Sequence, residues 1–171
     1  MSATLAAVNN AAPAAFVGTL AGVFEHSPWV AERTLPARPF ASLDALHAAL
    51  MAAVAAASRD EQLALIRAHP ELAGREAVDG TLTADSGTEQ GRLGFTALTR
   101  DEFNRMAALN KAYRERFGFP CIIALALHGD RTSVMRAFEE RLDNPPEAEI
   151  ANALEQIGHI TRSRLRRMFG S

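Results

Sequence analysis

Several alanine- and leucine-rich segments of this chain repeat their apolar positions at helical spacing, which predicts a fold built from helices. The first ten residues read as frayed. A helix is predicted from Pro13, with Phe16, Leu20, Val23 and Phe24 on one face, until HSPW at 26–29 breaks it. After the loop TLPARPF comes a capped run, SLDALHAALMAAVAAAS, whose stripe is Leu43, Leu46, Leu50 and Val54. The next helix starts at Ser58, which has Glu61 three residues on in capping-box spacing, and Pro70 ends it. The polar stretch GREAVDGTLTADSGTEQ at 74–90 has too little hydrophobic periodicity for an element and reads as a long loop, a feature often tied to function.

From Thr99 a further capped helix places Phe103, Met106, Asn110 and Tyr113 on one face, with Gly118 as its stop. The run CIIALAL at 121–127 fits either a buried strand or a short buried helix, and its helical neighbours favour helix. DRTSVMRAFEERL forms another helix, NPP ends it, and the last and longest helix runs to the C-terminus. With no internal repeat and no linker, these segments predict an all-α, single compact domain of about seven to nine helices over residues 1–171, the first twelve frayed.

Composition narrows the function. A formal net charge of −2 argues against a nucleic-acid binder. The single cysteine, Cys121, excludes an internal disulfide framework and a cysteine-rich zinc site, and fits a reducing compartment. No secretory signal and no apolar run long enough for a bilayer are visible, and the ending MFGS is not a peroxisomal signal, so a soluble cytoplasmic protein without a membrane partner is expected. Neither HExxH, a P-loop, GxGxxG nor GxSxG occurs, which disfavours metal and nucleotide enzymes.

Three places carry candidate chemistry. His69 stands directly before Pro70, and proline pushes its predecessor out of helical geometry, so the backbone aims the imidazole at the helix end; the plain alternative is a stop signal with a surface histidine. In the last helix the stripe runs through Ile150, Ala153, Leu154, Ile157, Ile160, Leu165 and Met168. At roughly 100° per residue Arg164 falls within about 30° of its centre, while Arg162, Arg166 and Arg167 read as solvated charges. A guanidinium facing a core must be paired or bind an anion, and a structural salt bridge is as good an account as anion recognition. Ser86 and Glu89 have capping-box spacing, so they either start a helix or form a polar wall beside Gln90 for a small heteroatom-rich ligand. His47 and His159 are expected to face solvent, His128 borders a Gly-Asp turn, His26 lies in a loop anchored by Trp29, and Cys121 is read as an inert core thiol.

Taken in order, FEHSPWVAE, RPF, LIRAHPELAG, SGTEQ, RERFGFPCII and ITRSRL resemble the OHCU decarboxylases of urate degradation, from about residue 16 to 169. The resemblance implies an all-helical, cofactor-independent enzyme that converts 2-oxo-4-hydroxy-4-carboxy-5-ureidoimidazoline, a small-molecule substrate, to (S)-allantoin and carbon dioxide. It leaves a homodimer open. Its catalytic residues fall on His69, Glu89 and Arg164, and its binding residues on Pro70, on Ser86, Gly87, Thr88, Glu89 and Gln90, and on Cys121, Ile122, Ile123, Ala124 and Leu125. Two departures stand out: Cys121 where the family pattern has phenylalanine, and Leu93-Gly94-Phe95 where it has Ala-Gly-Leu.

The implied chemistry needs few groups. The scissile carboxylate lies beside a ring imine carbon, so the substrate is its own electron sink and no metal or pyridoxal phosphate is called for. Arg164 would hold the anionic or ureido end, Glu89 would align the hydroxyl, and His69 would deliver the proton that sets the stereocentre. A helix C-terminus and a carboxylate nearby both favour the imidazolium this requires. Two alternatives remain from the sequence: an enzyme, decarboxylase or hydrolase, acting on a related ureido acid, and a non-catalytic helical binding module.

Overall fold

A computed structural model describes residues 3–170. They contain ten α-helices, two 3-10 turns and no strand, so the all-α expectation holds. Two compact units divide the chain: one takes residues up to Ala68 together with those from Gly158 onward, the other takes His69–Ile157.

The first unit contains α1 (Leu5–Asn10), α2 (Pro13–Leu20), α3 (Trp29–Thr34), a 3-10 turn (Leu35–Ala37), α4 (Leu43–Ala56), α5 (Arg59–Ala68) and the C-terminal part of α10 (Pro146–Phe169). Ser42 caps α4 through the Ala45 N–H at 3.0 Å. Ser58 and Glu61 close the reciprocal bonds of a capping box at the start of α5. Leu46, Leu50 and Val54 are buried on α4 as the stripe requires, joined by Phe16, Leu20, Val23, Phe24, Leu65 and Ile66. Burying each leucine of that set stabilises by about 1.5–3 kcal/mol before entropy is counted.

Three expectations for this unit are corrected. Residues 5–10 are helical, because Thr4 caps α1 through Ala7 N–H. The Asn9 amide holds that helix from the far side: its Nδ2 donates to Phe40 O at 2.9 Å and its Oδ1 accepts the Phe40 N–H at 2.8 Å. Arg38 adds a bond to Ala11 O at 2.6 Å while its guanidinium lies over the Phe16 ring. The second helix stops at Leu20, well before HSPW, and Val23 and Phe24 reach the core from a turn. The predicted loop 34–40 opens instead with the end of α3 and its 3-10 extension, and α3, over residues for which no element was predicted, packs on α4.

The second unit contains α6 (Arg75–Asp79), α7 (Ala84–Arg92), α8 (Arg100–Phe117), a 3-10 turn (Leu125–Leu127), α9 (Arg131–Arg141) and the first part of α10. Thr99 and Glu102 form the predicted capping box, and Gly118 ends α8 in the left-handed region at φ 78°. Tyr113 is fully buried, edge-on to Phe138 at 5.7 Å and Phe119 at 5.9 Å. Phe103 departs from the predicted face and is 39% exposed. The stretch 74–90 is not a loop: it folds as α6, stopped by Gly80 at φ 72°, and α7, capped by Thr83. Its inward positions are polar, Ser86 and Gln90, so hydrophobic periodicity had nothing to register there. In 121–127, residues 121–124 form no regular element, with Ala124 extended, and only 125–127 turn, against the preference for helix. Seven of the ten helices have eight residues or more, in line with the seven to nine expected, and α1, α3 and α6 are short additions of five or six residues.

Candidate active site

His69 follows the last residue of α5, and the bend there leaves it 6% exposed, so it is not a surface residue. The loop it opens is tight. A Cβ on Gly74 would lie 2.7 Å from the Glu71 Cβ, and Ala73 adopts φ 50°, a left-handed conformation that costs a side-chain-bearing residue about 1–2 kcal/mol.

Side chains from two helices hold that loop. The Gln90 carboxamide on α7 accepts the Ala73 N–H at 2.9 Å and donates to Glu71 O at 3.3 Å. From α8, Asn110 Nδ2 donates to Leu72 O at 2.8 Å and Arg114 pairs with the Glu71 carboxylate at 2.6 Å. Both ends of Gln90 thus go to the main chain behind His69, which no pattern in the sequence disclosed.

Ser86 and Glu89 do not cap a helix. Thr83 does so, accepting the Ser86 N–H at 3.3 Å, and Glu89 lies within α7. Ser86 is buried, Glu89 and Gly87 are half-buried, and Thr88 is exposed with its hydroxyl donating to Ala84 O at 2.9 Å. One turn on, Arg92 donates to the carbonyls of Leu125 and His128, the latter at 2.9 Å, so α7 reaches the stretch 121–125 as well as the histidine loop. Gly94 (φ 78°) leaves room for the Arg131 guanidinium, which bonds Leu93 O at 3.1 Å and Glu102 at 2.9 Å.

Residues 121–125 are all buried. Burial pushes the Cys121 thiol up to about 12, the state of an unreactive core thiol. Beside it lies a polar cluster that sequence reasoning missed. Glu149, fully buried, accepts from Tyr113 Oη at 2.5 Å, Arg141 Nε at 2.7 Å, Asn152 Nδ2 at 2.7 Å and Asn144 Nδ2 at 3.0 Å. Burial alone would raise its pKa; the four donors hold the carboxyl below the usual range instead. A signal existed, since Glu149 precedes the buried Ala153 by one turn on the same face of α10.

The last nominated residue, Arg164, belongs to the first unit and is 3% exposed, as the helix geometry required, while Arg162, Arg166 and Arg167 are exposed. Its Nη2 donates to Glu25 Oε1 at 3.0 Å and its Nη1 to Val23 O at 3.2 Å. Glu25 is itself 2% exposed. His47 on α4 is not solvated as expected: its Nε2 lies 3.0 Å from Gly158 O and 3.1 Å from Thr161 Oγ1, and burial keeps its pKa below the usual value. His159 is exposed, and His128 Nδ1 lies 2.8 Å from Ser133 Oγ. Among the described residues no group of three or more His, Cys, Asp and Glu side chains is arranged to hold a metal, and no helix is long and apolar enough to cross a membrane.

Against known proteins, the sequence profile of OHCU decarboxylase matches residues 9–166. The chain is 39% identical to the 2-oxo-4-hydroxy-4-carboxy-5-ureidoimidazoline decarboxylase of Haloferax volcanii, covering 98% of this chain and 97% of that protein. It is also 39% identical to the Mus musculus protein of the same name, covering 91% and 87%. Among solved structures, an (S)-allantoin synthase superposes with a TM-score of 0.75 at 30% identity over 97% of this chain; the chain spans 54% of that one. A helical fold with a buried histidine before proline and a buried arginine near the end of its last helix, matched over nearly its whole length, therefore belongs to the OHCU decarboxylase family, a family of carboxy-lyases.

Proposed function

We propose that this chain decarboxylates 2-oxo-4-hydroxy-4-carboxy-5-ureidoimidazoline to (S)-allantoin and carbon dioxide, without a cofactor, in the cytoplasm and with no nucleic-acid or membrane partner. The observation that carries it is the family match over residues 9–166, a span that contains His69, Glu89 and Arg164. In this reading the carbon–carboxylate bond breaks and its electron pair moves toward the neighbouring ring imine. The imine pair shifts to the ring nitrogen, which takes up the proton that the hydroxyl loses as it becomes the carbonyl, and His69 delivers one proton to the former imine carbon on a single face, fixing the stereocentre. Glu89 accepts a hydrogen bond from the substrate hydroxyl. Its charge also disfavours the ground-state carboxylate, and this repulsion is relieved as CO2 leaves. Arg164 binds the anionic or ureido end, with Glu25 fixing the direction of its guanidinium. Pro70, residues 86–90 and residues 121–125 supply the walls, and Gln90 does so through the loop it holds.

Generating the unstable substrate from urate with the upstream enzymes and following chiral allantoin by circular dichroism tests this directly. The expected result is formation of the (S) form well above spontaneous decay, unchanged by exhaustive EDTA. A rate equal to spontaneous decay would leave a helical binding module; loss with EDTA and recovery with a divalent metal would overturn the cofactor-free chemistry.

A further inference from the structure

Residues 121–124 are buried without helical bonds of their own, and the described residues contain no strand to pair with them. Buried main-chain groups need partners, so something other than a sheet must fix this stretch. Side chains from three helices do. Arg141 Nη1 on α9 donates to Ile122 O, the Gln156 carboxamide on α10 accepts the Ala124 N–H at 2.8 Å, and Arg92 on α7 donates to Leu125 O. The orientation of Gln156 follows from chemistry, because a main-chain N–H only donates and the group facing it must be the carbonyl oxygen.

The anchors differ in what else they do. Arg141 is committed to Glu149, so its removal disturbs the buried cluster as well. Gln156 is half-buried, and its bond to Ala124 lies within the stretch proposed as a substrate wall. We propose that Gln156 is a positioning residue: by holding the Ala124 N–H it sets the main-chain geometry of residues 122–125 and thereby the affinity for the ureido ligand, without contacting the ligand itself. This rests on the assignment of 121–125 as a binding wall.

The test compares Gln156→Met, which keeps length and loses the acceptor, with Gln156→Glu, which keeps an acceptor. Amide hydrogen exchange at Ala124 is read by NMR, alongside the Kd for (S)-allantoin and the KM and kcat for the generated substrate. In Gln156→Met the Ala124 amide should exchange about fivefold faster or more, with Kd and KM rising by a similar factor, as expected for one lost hydrogen bond. The fall in kcat should be smaller, and protection along α10 should be unchanged. Gln156→Glu should restore the exchange rate and most of the affinity. Unchanged Ala124 exchange in Gln156→Met would overturn the proposal, as would faster exchange with unaltered Kd. Failure of the decarboxylase reading would show separately, as absent turnover in the unsubstituted protein.

Discussion

α10 carries a buried arginine–glutamate pair toward each end, and the two pairs are surrounded differently. Near its start, Glu149 is saturated by four donors from Tyr113, Arg141, Asn144 and Asn152, and Arg141 spends another nitrogen on Ile122 O. Near its end, Arg164 meets Glu25 and the carbonyl of Val23. Each charge also suits the nearer pole of the helix dipole. Only the second pair has both members in stretches that carry the family resemblance, FEHSPWVAE and ITRSRL. Burial of a charge therefore marks a place where the chain must solve an electrostatic problem, and the partners decide whether the solution is structural.

The contrast breaks most sharply on deletion of one partner. Arg141→Met removes one of four donors to a fully buried carboxylate together with an anchor of residues 121–125, and should cost about 3–5 kcal/mol in denaturant unfolding. Arg164→Met should cost a comparable amount, because Glu25 loses its guanidinium. The double variant Arg164→Met/Glu25→Met should recover most of that stability, since a buried pair replaced by packed apolar groups is often neutral. Turnover should stay lost. A stable, fully active double variant would reduce Arg164 to the same structural part as Arg141.

Acid titration separates the two units less strongly. Burial depresses the His47 pKa, so its contribution is present above the unfolded value near 6.5 and fades as pH falls through the lower folded value. Glu149 is also depressed, and its contribution persists until pH falls below the ordinary carboxyl value near 4.5. Melting temperature should therefore drop in two stages, the milder-acid stage disappearing in His47→Gln and the stronger-acid stage in Glu149→Gln. Coincident loss in both variants would mean that neither group governs its own stage. Smallest of all is Arg162→Met, where an exposed pair with Asp44 at 3.0 Å is broken; the melting temperature should stay unchanged, with normal turnover.

What the sequence disclosed is what is local. Ser42, Ser58 with Glu61, Thr99 with Glu102 and Gly118 bound their helices through neighbours three or four residues away, so their spacing was enough. Arg164 was legible for a related reason, because a long regular helix converts residue number into direction. Elements fixed by distant partners were not legible. Residues 5–10 depend on Asn9 and Phe40, thirty-one positions apart, and residues 121–125 depend on side chains from three helices. His47 was misjudged because the carbonyl that buries it belongs to Gly158. α7 escaped notice because its inward positions are Ser86 and Gln90.

The central claim is that His69, aimed by Pro70 and held by a loop tied to Gln90 and Asn110, delivers the stereospecific proton. His69→Asn, measured as the rate of (S)-allantoin appearance by circular dichroism beside a thermal melt, tests it most directly. General acid catalysis contributes typically about 10²–10⁴-fold, so the stereospecific rate should fall by at least about a hundredfold while the melting temperature stays within a few degrees. A near-normal rate of (S)-allantoin formation in that variant would contradict the account.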